Sequence, residues 1–515
     1  MAAATALSRA TGLARTVALA SVLGVTTLAD AYNVANTVPT MVFTFVVGGI
    51  ATSALVPLLV RSAPTGGQAE TAGRLLGASA AIGVLGSALL LILAPLVVHV
   101  LTFGASGRTD VDAYRQLATT WLRWCAPQVA LYAIGNAATS VLNANRRLFL
   151  AAAAPALTNL LTIGSALAFL TLASGRVDVG SVPPGAVAML GAGTTLAVGV
   201  ATLVQVFGAR RVHPSLRPTL DLRHPEIRAL VPRAGWMVLY VALNQIGLAV
   251  VVAIASSRSG ALSAYQWAFA VMQLPYALIA VSVLTAAYPL IAASVDQRDD
   301  LHRVLRQTSG SMWALLMPAA AGLWVLADPI AVALVGVDGG DLVASATRGF
   351  ALSLTPFAAF QLLTRLSYAR DDTRTPALVN GAVNAANIGA AVVAARATAS
   401  PEGLLFGLAA AHAISYAVGC VGMLWRLRST GSVRGRDLLH GLGFGVKAAL
   451  AGSAVAVGIR VAMTETPDRN SAIVTLLAAG GAGTLTVGAL AAARSRWGRP
   501  DPDEHRVQEE SRPIQ

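Results

Sequence analysis

Charged residues are scarce in this chain of 515 residues. Asp, Glu, Lys and Arg together make up 12% of it, while 55% of the residues are hydrophobic. An average soluble domain carries about twice that share of charge. The composition therefore excludes an ordinary soluble protein and predicts a membrane protein. Lysine is almost absent. Lys447 is the one lysine among the 37 Lys and Arg residues.

Cysteine is also rare, and the sequence motifs of several protein classes are missing. Cys125 and Cys420 each lie in an apolar stretch, without the spacing of metal ligands or of a disulfide framework. The sequence has no P-loop, no zincin motif and no acidic metal cluster. It therefore predicts a protein that is not an enzyme and that has no cofactor. The net charge of +13 does not indicate nucleic-acid binding, because the arginines lie in short loops beside apolar spans.

Long apolar stretches run the whole length of the chain. A helix needs roughly 20 apolar residues to cross a bilayer, and a transmembrane barrel would show alternating residues instead. Helices of this kind satisfy their own backbone groups in lipid. The sequence predicts an all-α integral membrane protein of about fourteen transmembrane helices, at 5–24, 29–60, 73–103, 112–144, 149–174, 184–209, 227–256, 262–295, 301–327, 342–369, 375–397, 402–426, 436–463 and 470–493.

The arginines between these stretches fall almost entirely into every second loop. Short cytoplasmic loops are rich in Arg and Lys because positive charge resists translocation. The pattern predicts a multi-pass protein of the cytoplasmic membrane with both termini in the cytoplasm. The arginine-rich loops carry Arg61, Arg74, Arg146, Arg147, Arg210, Arg211, Arg298, Arg303, Arg306, Arg370, Arg374, Arg426, Arg428, Arg434 and Arg436.

Two parts of the sequence resemble each other at a distance of about 230 residues, as in transporters built from repeats. The segments 31–38 and 264–271 match, and Pro39 and Pro275 follow them. An even number of helices per repeat predicts two six-helix lobes, 1–210 and 226–427, related by a pseudo-two-fold axis along the membrane normal. Two additional transmembrane helices (428–494) and a disordered cytoplasmic tail (495–515) complete the predicted organisation.

Ionisable residues inside predicted spans are candidate substrate contacts, because charge in a membrane is costly and usually faces a polar cavity. We select Arg9, Arg15, Asp30, Arg365 and Lys447. Arg15 lies about 9 Å deeper than Arg9 at helical rise.

Each of several charged positions also has a structural interpretation. Arg9 can reach the cytoplasmic surface with its long side chain, and Asp30 can cap the second helix. The span around Lys447 can begin earlier on the cytoplasmic side, with the lysine side chain extending past its flanking glycines to the interface. Arg460 near a span end can reach the surface in the same way. His412 fits either a hydrogen-bonded core residue or a proton relay.

The opening residues Ser8-Arg-Ala-Thr-Gly-Leu-Ala-Arg15, followed by Ala29-Asp-Ala-Tyr32 and Val38-Pro39, resemble the start of MviN/MurJ proteins. The segment 363–376 is similar to the signature of the tenth helix in these proteins. They are lipid II flippases of the multidrug/oligosaccharidyl-lipid/polysaccharide exporter superfamily. The resemblance implies two lobes around a central cationic cavity, alternating access, and a groove beside the last two helices that holds a polyprenyl tail.

The resemblance also implies functional roles for Arg9, Arg15 and Asp30, and it places Lys447 along the lipid groove. Other family positions differ here. Phe43, Thr44 and Gly48 replace an Arg-Arg pair and a glutamate. In the eighth helix, the run Asp-Arg-Leu-x-Glu is replaced by residues that include Phe269, Ala270, Val271 and Gln273. The predicted cavity has therefore lost much of the family's charge.

These observations predict a flippase for a polyprenyl-diphosphate-linked saccharide, either lipid II or another cell-envelope precursor. An ion gradient or the membrane potential would drive it, because the sequence shows no nucleotide site. The expected partners are the polyprenyl-linked lipid and membrane lipids, with cell-wall synthesis proteins as candidates. One alternative is a multidrug or cationic-solute antiporter, which would need cavity carboxylates. Another is a membrane scaffold without transport, in which Arg15 would matter for stability alone.

Overall fold

The computed structural model describes residues 2–45, 67–173, 178–221, 230–429, 433–463 and 468–497, together with residues 55, 58, 59, 60 and 62. Every regular element in this part of the chain is helical. The predicted all-α fold is confirmed. The end of the predicted second span and residues 498–515 of the predicted tail lie outside the described residues, and the last helix extends to Trp497.

The structure describes eighteen α-helices. In chain order they are α1 (Ala2–Leu23), α2 (Thr27–Phe43), α3 (Gln68–Leu101), α4 (Val111–Cys125), α5 (Gln128–Ala144), α6 (Leu148–Ala173), α7 (Pro184–Val212), α8 (Leu230–Ala255), α9 (Ala261–Pro275), α10 (Val281–Ala293), α11 (Arg298–Val325), α12 (Ala327–Val335), α13 (Gly340–Ala369), α14 (Arg374–Ala397), α15 (Pro401–Ser429), α16 (Gly435–Leu438), α17 (Leu442–Ala462) and α18 (Arg469–Trp497).

Within the described residues, nine helical segments are long and apolar enough to cross a membrane. α11 and α12, which meet at an angle of 67°, give a tenth candidate when they are counted as one broken span. The remaining long segments are α1, α2, α13 and the α4–α5 pair. The count of about fourteen predicted from the sequence is consistent with this arrangement.

Several predicted spans are broken in the structure. The predicted span 112–144 is divided at Ala126 and Pro127 into α4 and α5, because proline lacks the backbone N–H that continues a helix. The predicted span 262–295 contains a π-helical segment, Tyr276–Ala280, directly after Pro275. Such irregular turns are common at functional sites.

The two lobes pack their helices in the same order. In each lobe the first helix packs on the fifth (α1 on α6, α8 on α14) and the fifth packs on the sixth (α6 on α7, α14 on α15). The fourth also packs on the sixth in both lobes (α5 on α7, α13 on α15). This matched packing agrees with two lobes related by pseudo-two-fold symmetry, while the residue boundaries of the lobes stay a prediction.

The last two long helices pack outside the second lobe. α17 lies against α11 and α18, and α18 lies against α12. Arg460 of α17 forms an ion pair with Asp328, which also accepts a hydrogen bond of 2.5 Å from Arg348. Arg460 thus has a partner near the end of its helix, and the expectation that it reaches the membrane surface stays a prediction. This cluster joins α17 to α12 and α13.

Candidate functional site: a sealed seam and two cavities

Asp30 lies in the seam between the lobes, at the face formed by the arginine-poor loops. Its side chain is fully buried. One carboxylate oxygen accepts a hydrogen bond of 2.8 Å from the Gly260 amide, and the other accepts bonds from the Ser263 amide (2.8 Å) and hydroxyl (2.7 Å). Asp30 thus stabilises the N-terminus of α9 in the opposite lobe, where a carboxylate is favoured. The structure places it there rather than as a cap of its own helix.

Further hydrogen bonds seal the same face. The Thr27 and Ser259 hydroxyls lie 2.7 Å apart, and Asn33 donates to the Ser263 hydroxyl at 3.1 Å. Arg108 donates to the carbonyl of Ser256 at 3.1 Å. We call this set of contacts around Asp30 the outer seam. It closes the protein at the arginine-poor face.

Gly260 allows the close approach of the two lobes at the outer seam. Its φ of +74° is a conformation that residues with a side chain rarely adopt. A Cβ atom here would also lie 2.5 Å from the backbone oxygen of Val25 in the other lobe. Glycine is therefore required both by the backbone conformation and by the contact.

The outer seam joins positions that are equivalent in the two repeats. The hydrogen-bonded pairs Thr27–Ser259, Asn33–Ser263, Asp30–Ser263 and Thr37–Gln266 are separated by 232, 230, 233 and 229 residues. The Asp30–Ser263 separation equals the offset of 233 that aligns 31–38 with 264–271, and the other three lie within four residues of it. A residue contacts its own equivalent only at the symmetry axis, so the pseudo-two-fold axis passes between α2 and α9.

The loop before α4 supports the seam with a charged pair. Arg108 donates to both oxygens of Asp110, at 2.8 Å and 2.6 Å, and the Thr27 hydroxyl donates to the same carboxylate at 2.7 Å. The hydrogen bond from Arg108 is the main reason why the pKa of Asp110 lies below its ordinary value. Asp110 therefore stays ionised at neutral pH and holds Arg108 beside Ser256.

Arg15 lines a cavity of about 330 Å³ inside the first lobe. We call it the first-lobe cavity; helices α1, α2, α5, α6 and α7 contribute to its wall. Arg15 Nε and Asn136 Nδ2 are buried there without a hydrogen-bond partner. None of the described residues that line this cavity carries a carboxylate. Arg15 is half-buried and has no carboxylate partner among the described residues, so the cavity is suited to an anionic group with several acceptor oxygens.

The other predicted site residues lie outside this cavity. Arg9 is half-buried on α1, nearer to the chain start, and does not line the cavity in this conformation. Arg365 is half-buried on α13 and does not line the first-lobe cavity. The structure therefore brings none of Arg9, Asp30 and Arg365 into contact with Arg15, and their predicted contacts with substrate remain untested.

Lys447 is exposed on the outer surface of α17. Because α17 begins at Leu442, the lysine lies about 8 Å from the helix start at helical rise. The sequence prediction started this span at 436; in the structure a short separate helix, α16, occupies 435–438. Lys447 therefore lies in the second turn of α17, close in sequence to the arginine-rich segment that precedes this helix.

A second cavity, of about 430 Å³, lies between the lobes and inside the second lobe. We call it the central cavity. Its described lining contains no Asp, Glu, Lys or Arg. It is formed by five side-chain amides, several aromatic rings and His412, together with small and aliphatic residues. The amides belong to Asn244, Gln245, Gln266, Asn384 and Asn387.

His412 lies in an aromatic cage at the wall of the central cavity. The ring centroids of Phe350, Phe357 and Tyr416 lie 5.7, 5.5 and 4.7 Å from that of His412, and Phe269 lies at 5.9 Å. His412 Nδ1 is buried without a hydrogen-bond partner. The interpretation as a hydrogen-bonded core histidine therefore does not match the structure at this nitrogen atom.

Sequence reasoning missed the neutral residues of both cavities. Asn136, Gln205 and Asn384 are uncharged, and a search for ionisable groups in spans passes over them. One signal was available, since asparagine is costly in an apolar helix unless it faces a partner or a cavity. Asn380, Asn384 and Asn387 recur at helical spacing on one side of α14.

The comparison with known proteins gives one family. The family model "Lipid II flippase MurJ" matches residues 19–468. A probable lipid II flippase MurJ of Rhizobium tropici is 28% identical over 383 residues, which cover 72% of this chain and 69% of that protein. The probable lipid II flippase MurJ of Thermotoga maritima is 26% identical over 432 residues, covering 82% and 83%.

Solved structures show the same fold. A structure described as "Lipid II flippase MurJ, inward closed conformation" superposes with a TM-score of 0.74 at 19% identity, covering 96% of this chain and 98% of that chain. An inward-facing multidrug resistance MATE family transporter superposes with a TM-score of 0.66 at 16% identity, covering 82% and 94%.

Proposed function

Since this chain belongs to the lipid II flippase MurJ family, we propose that it moves lipid II, or a closely related polyprenyl-diphosphate-linked saccharide, across the cytoplasmic membrane by alternating access. The family model covers most of the chain, and the relatives named above share it. The observation that supports a diphosphate substrate is the unpartnered Arg15 in the first-lobe cavity. A guanidinium forms paired hydrogen bonds with phosphate oxygens.

The position of the outer seam supports alternating access. The seam closes the arginine-poor face, which the distribution of positive charge assigns to the outside of the cell. The headgroup would enter from the cytoplasmic side while the seam is closed. Its diphosphate would bind Arg15, with Arg9 nearer to the entrance as a second cation. Opening of the seam would then release the headgroup on the outside, with Asp30 acting as a gate residue rather than as a substrate ligand.

The family assignment favours this function over the two alternatives. A multidrug antiporter that binds cations would need carboxylates in its cavities, and the described lining of both cavities has none. A scaffold without transport would gain nothing from a half-buried arginine that lines a cavity without a counter-ion. We propose that the membrane potential or a gradient of a monovalent ion supplies the driving force.

A vesicle assay tests the proposed function. The purified protein is placed in liposomes that contain a polyprenyl-diphosphate-linked disaccharide with a fluorophore on the sugar, and a membrane-impermeant reductant bleaches the outer leaflet. An ion gradient or a membrane potential is imposed. We expect the fluorescence of lipid from the inner leaflet to be lost faster than in protein-free vesicles, because the protein moves this lipid to the outer leaflet. Bleaching that stops at the outer leaflet under all gradients would contradict the proposal.

Lys447 gives a separate test of the lipid groove. Lys447→Leu is expected to reduce the amount of polyprenyl-phosphate lipid that copurifies with the protein, because an exposed ammonium group near the interface attracts phosphates. The thermal midpoint should stay nearly unchanged, since the side chain is exposed. Lipid is measured by mass spectrometry of the extract. A large loss of stability with lipid retained would instead make Lys447 a structural residue.

A further inference from the structure

The central cavity has the chemistry of a saccharide site. Its described lining has no Lys or Arg, so it offers no arginine or lysine cation to a phosphate or a carboxylate. Five amides provide both donors and acceptors, as sugar hydroxyl and acetamido groups require. The rings of Tyr265, Phe269 and Tyr416 provide flat apolar surfaces for the C–H faces of a sugar ring. Its volume of about 430 Å³ is within the range of small-molecule sites.

The amides are held in place by contacts within the protein. Asn244 Oδ1 accepts hydrogen bonds from Asn380 at 3.3 Å and from Asn384 at 3.2 Å. Asn384 also donates to the carbonyl of Asn380 at 2.9 Å. This network joins α8 to α14 and fixes the amides of Asn244 and Asn384 before a ligand arrives, which lowers the entropy cost of binding.

Gly247 makes room for this arrangement. A Cβ atom at this position would lie 2.2 Å from Oδ1 of Asn384. Any larger residue on α8 would therefore displace the amide. The site depends on a glycine in one helix and an asparagine in another, which is the pattern of a built polar site rather than of an accidental gap.

The central cavity adjoins the outer seam through one hydrogen bond. Gln266 of α9 donates to the Thr37 hydroxyl of α2 at 3.2 Å, and both residues line the cavity. Gln245 likewise donates across the lobes to the carbonyl of Met41 at 3.3 Å. A ligand that takes up either amide competes with a contact between the lobes.

We propose that the central cavity binds the uncharged saccharide part of the lipid headgroup, through the amides of Asn384 and Asn387 and the ring of Tyr416, while Arg15 binds the diphosphate. This inference rests on the proposed function and adds a specificity site to it. Recognition of the headgroup is thereby divided between a cationic cavity in the first lobe and a neutral cavity at the second.

Two soluble probes separate sugar recognition from diphosphate recognition. One is a short prenyl diphosphate esterified with an N-acetylated disaccharide, and the other is the methyl ester of the same prenyl diphosphate, which has the same charge. Affinities are measured by calorimetry on detergent-solubilised full-length protein. We expect wild type to bind the saccharide probe at least tenfold more tightly than the methyl ester.

Asn387→Leu and Tyr416→Leu are expected to reduce this preference to threefold or less, with the affinity for the methyl ester unchanged. Asn143→Leu is the matched control, since Asn143 is an exposed amide at the end of α5 outside both cavities. It should keep the full preference. If Asn387→Leu yields no folded protein, Asn387→Ala removes the amide without adding bulk.

Three results would overturn the saccharide assignment. These are equal affinity of wild type for the two probes, a full preference in folded Asn387→Leu and Tyr416→Leu, or displacement of the saccharide probe by tetraethylammonium, which would make the aromatic cage a cation site. Failure of the proposed function has a different signature. In that case wild type would bind neither probe, or Arg15→Ala would bind both as wild type does.

Discussion

Asp30→Ala is expected to open the outer seam. The substitution removes a buried carboxylate that accepts three hydrogen bonds from the opposite lobe, and it leaves the N-terminus of α9 without its acceptor. Hydrogen bonds to a charged group contribute on the order of 1.5–3 kcal/mol each, and their effects are not additive. A net change of about 3 kcal/mol would shift the equilibrium between closed and open seam by roughly a hundredfold.

The measurement is thiol labelling from outside the cell. Cys125 and Cys420 are first replaced by alanine, and Ala261→Cys then reports the seam, since Ala261 is fully buried at the start of α9. A membrane-impermeant maleimide should label this cysteine slowly with Asp30 present and at least tenfold faster with Asp30→Ala.

Two milder variants calibrate this result. Ser263→Ala removes a single hydrogen bond to the carboxylate, and Asp30→Asn keeps an acceptor oxygen without the charge. Both are expected to give intermediate rates. Labelling at the wild-type rate in folded Asp30→Ala protein would show that Asp30 does not hold the seam.

Arg15→Ala is expected to weaken binding of a water-soluble polyprenyl-diphosphate analogue by tenfold to a hundredfold, because an arginine–phosphate contact contributes on the order of 1.5–3 kcal/mol. Arg15→Lys should recover part of this affinity, since an ammonium group cannot form the paired contact. The measurement is a calorimetric titration of the analogue into wild type and both variants.

Arg123→Ala is the control for the loss of a positive charge. Arg123 is exposed on α4 and does not line the first-lobe cavity, so its replacement should leave the affinity unchanged. All variants are first compared by their thermal midpoints. Wild-type affinity in Arg15→Ala would remove Arg15 from the site and favour an uncharged or monophosphate-linked lipid as substrate.

The architecture was predictable because lipid leaves few options for the backbone. The length of the apolar stretches predicted the helices, and the distribution of arginine predicted their orientation. The similarity of the segments 31–38 and 264–271 predicted the repeat. In the structure, the hydrogen-bonded pairs of the outer seam join residues that are about 230 positions apart in the sequence. Asp30 was selected as a charged residue within a span, but its partners could not be predicted, because they belong to a helix that begins some 230 residues later.

The cavities were only partly predictable. A charge within a span indicates a cavity, and so Arg15 was found. The central cavity consists of neutral residues from several distant segments, and no single stretch of sequence shows how Asn244 and Asn384 meet across Gly247. Helix breaks within predicted spans were similarly hidden, since a hydropathy profile does not register the missing N–H of Pro127 or the bend near Leu326.

The axis between α2 and α9 restricts which amino acids can occupy the positions beside it. In two identical repeats, every side chain at the axis would face a copy of itself. Two aspartates at positions 30 and 263 would place two carboxylates together in a buried environment, and two serines would leave no charge to stabilise a helix N-terminus. The observed Asp30–Ser263 pair avoids both. The Asp30–Ser263 contact needs two different residues at one equivalent position of the repeat. A duplicated chain can therefore form this contact, whereas a symmetric homodimer of a single repeat cannot.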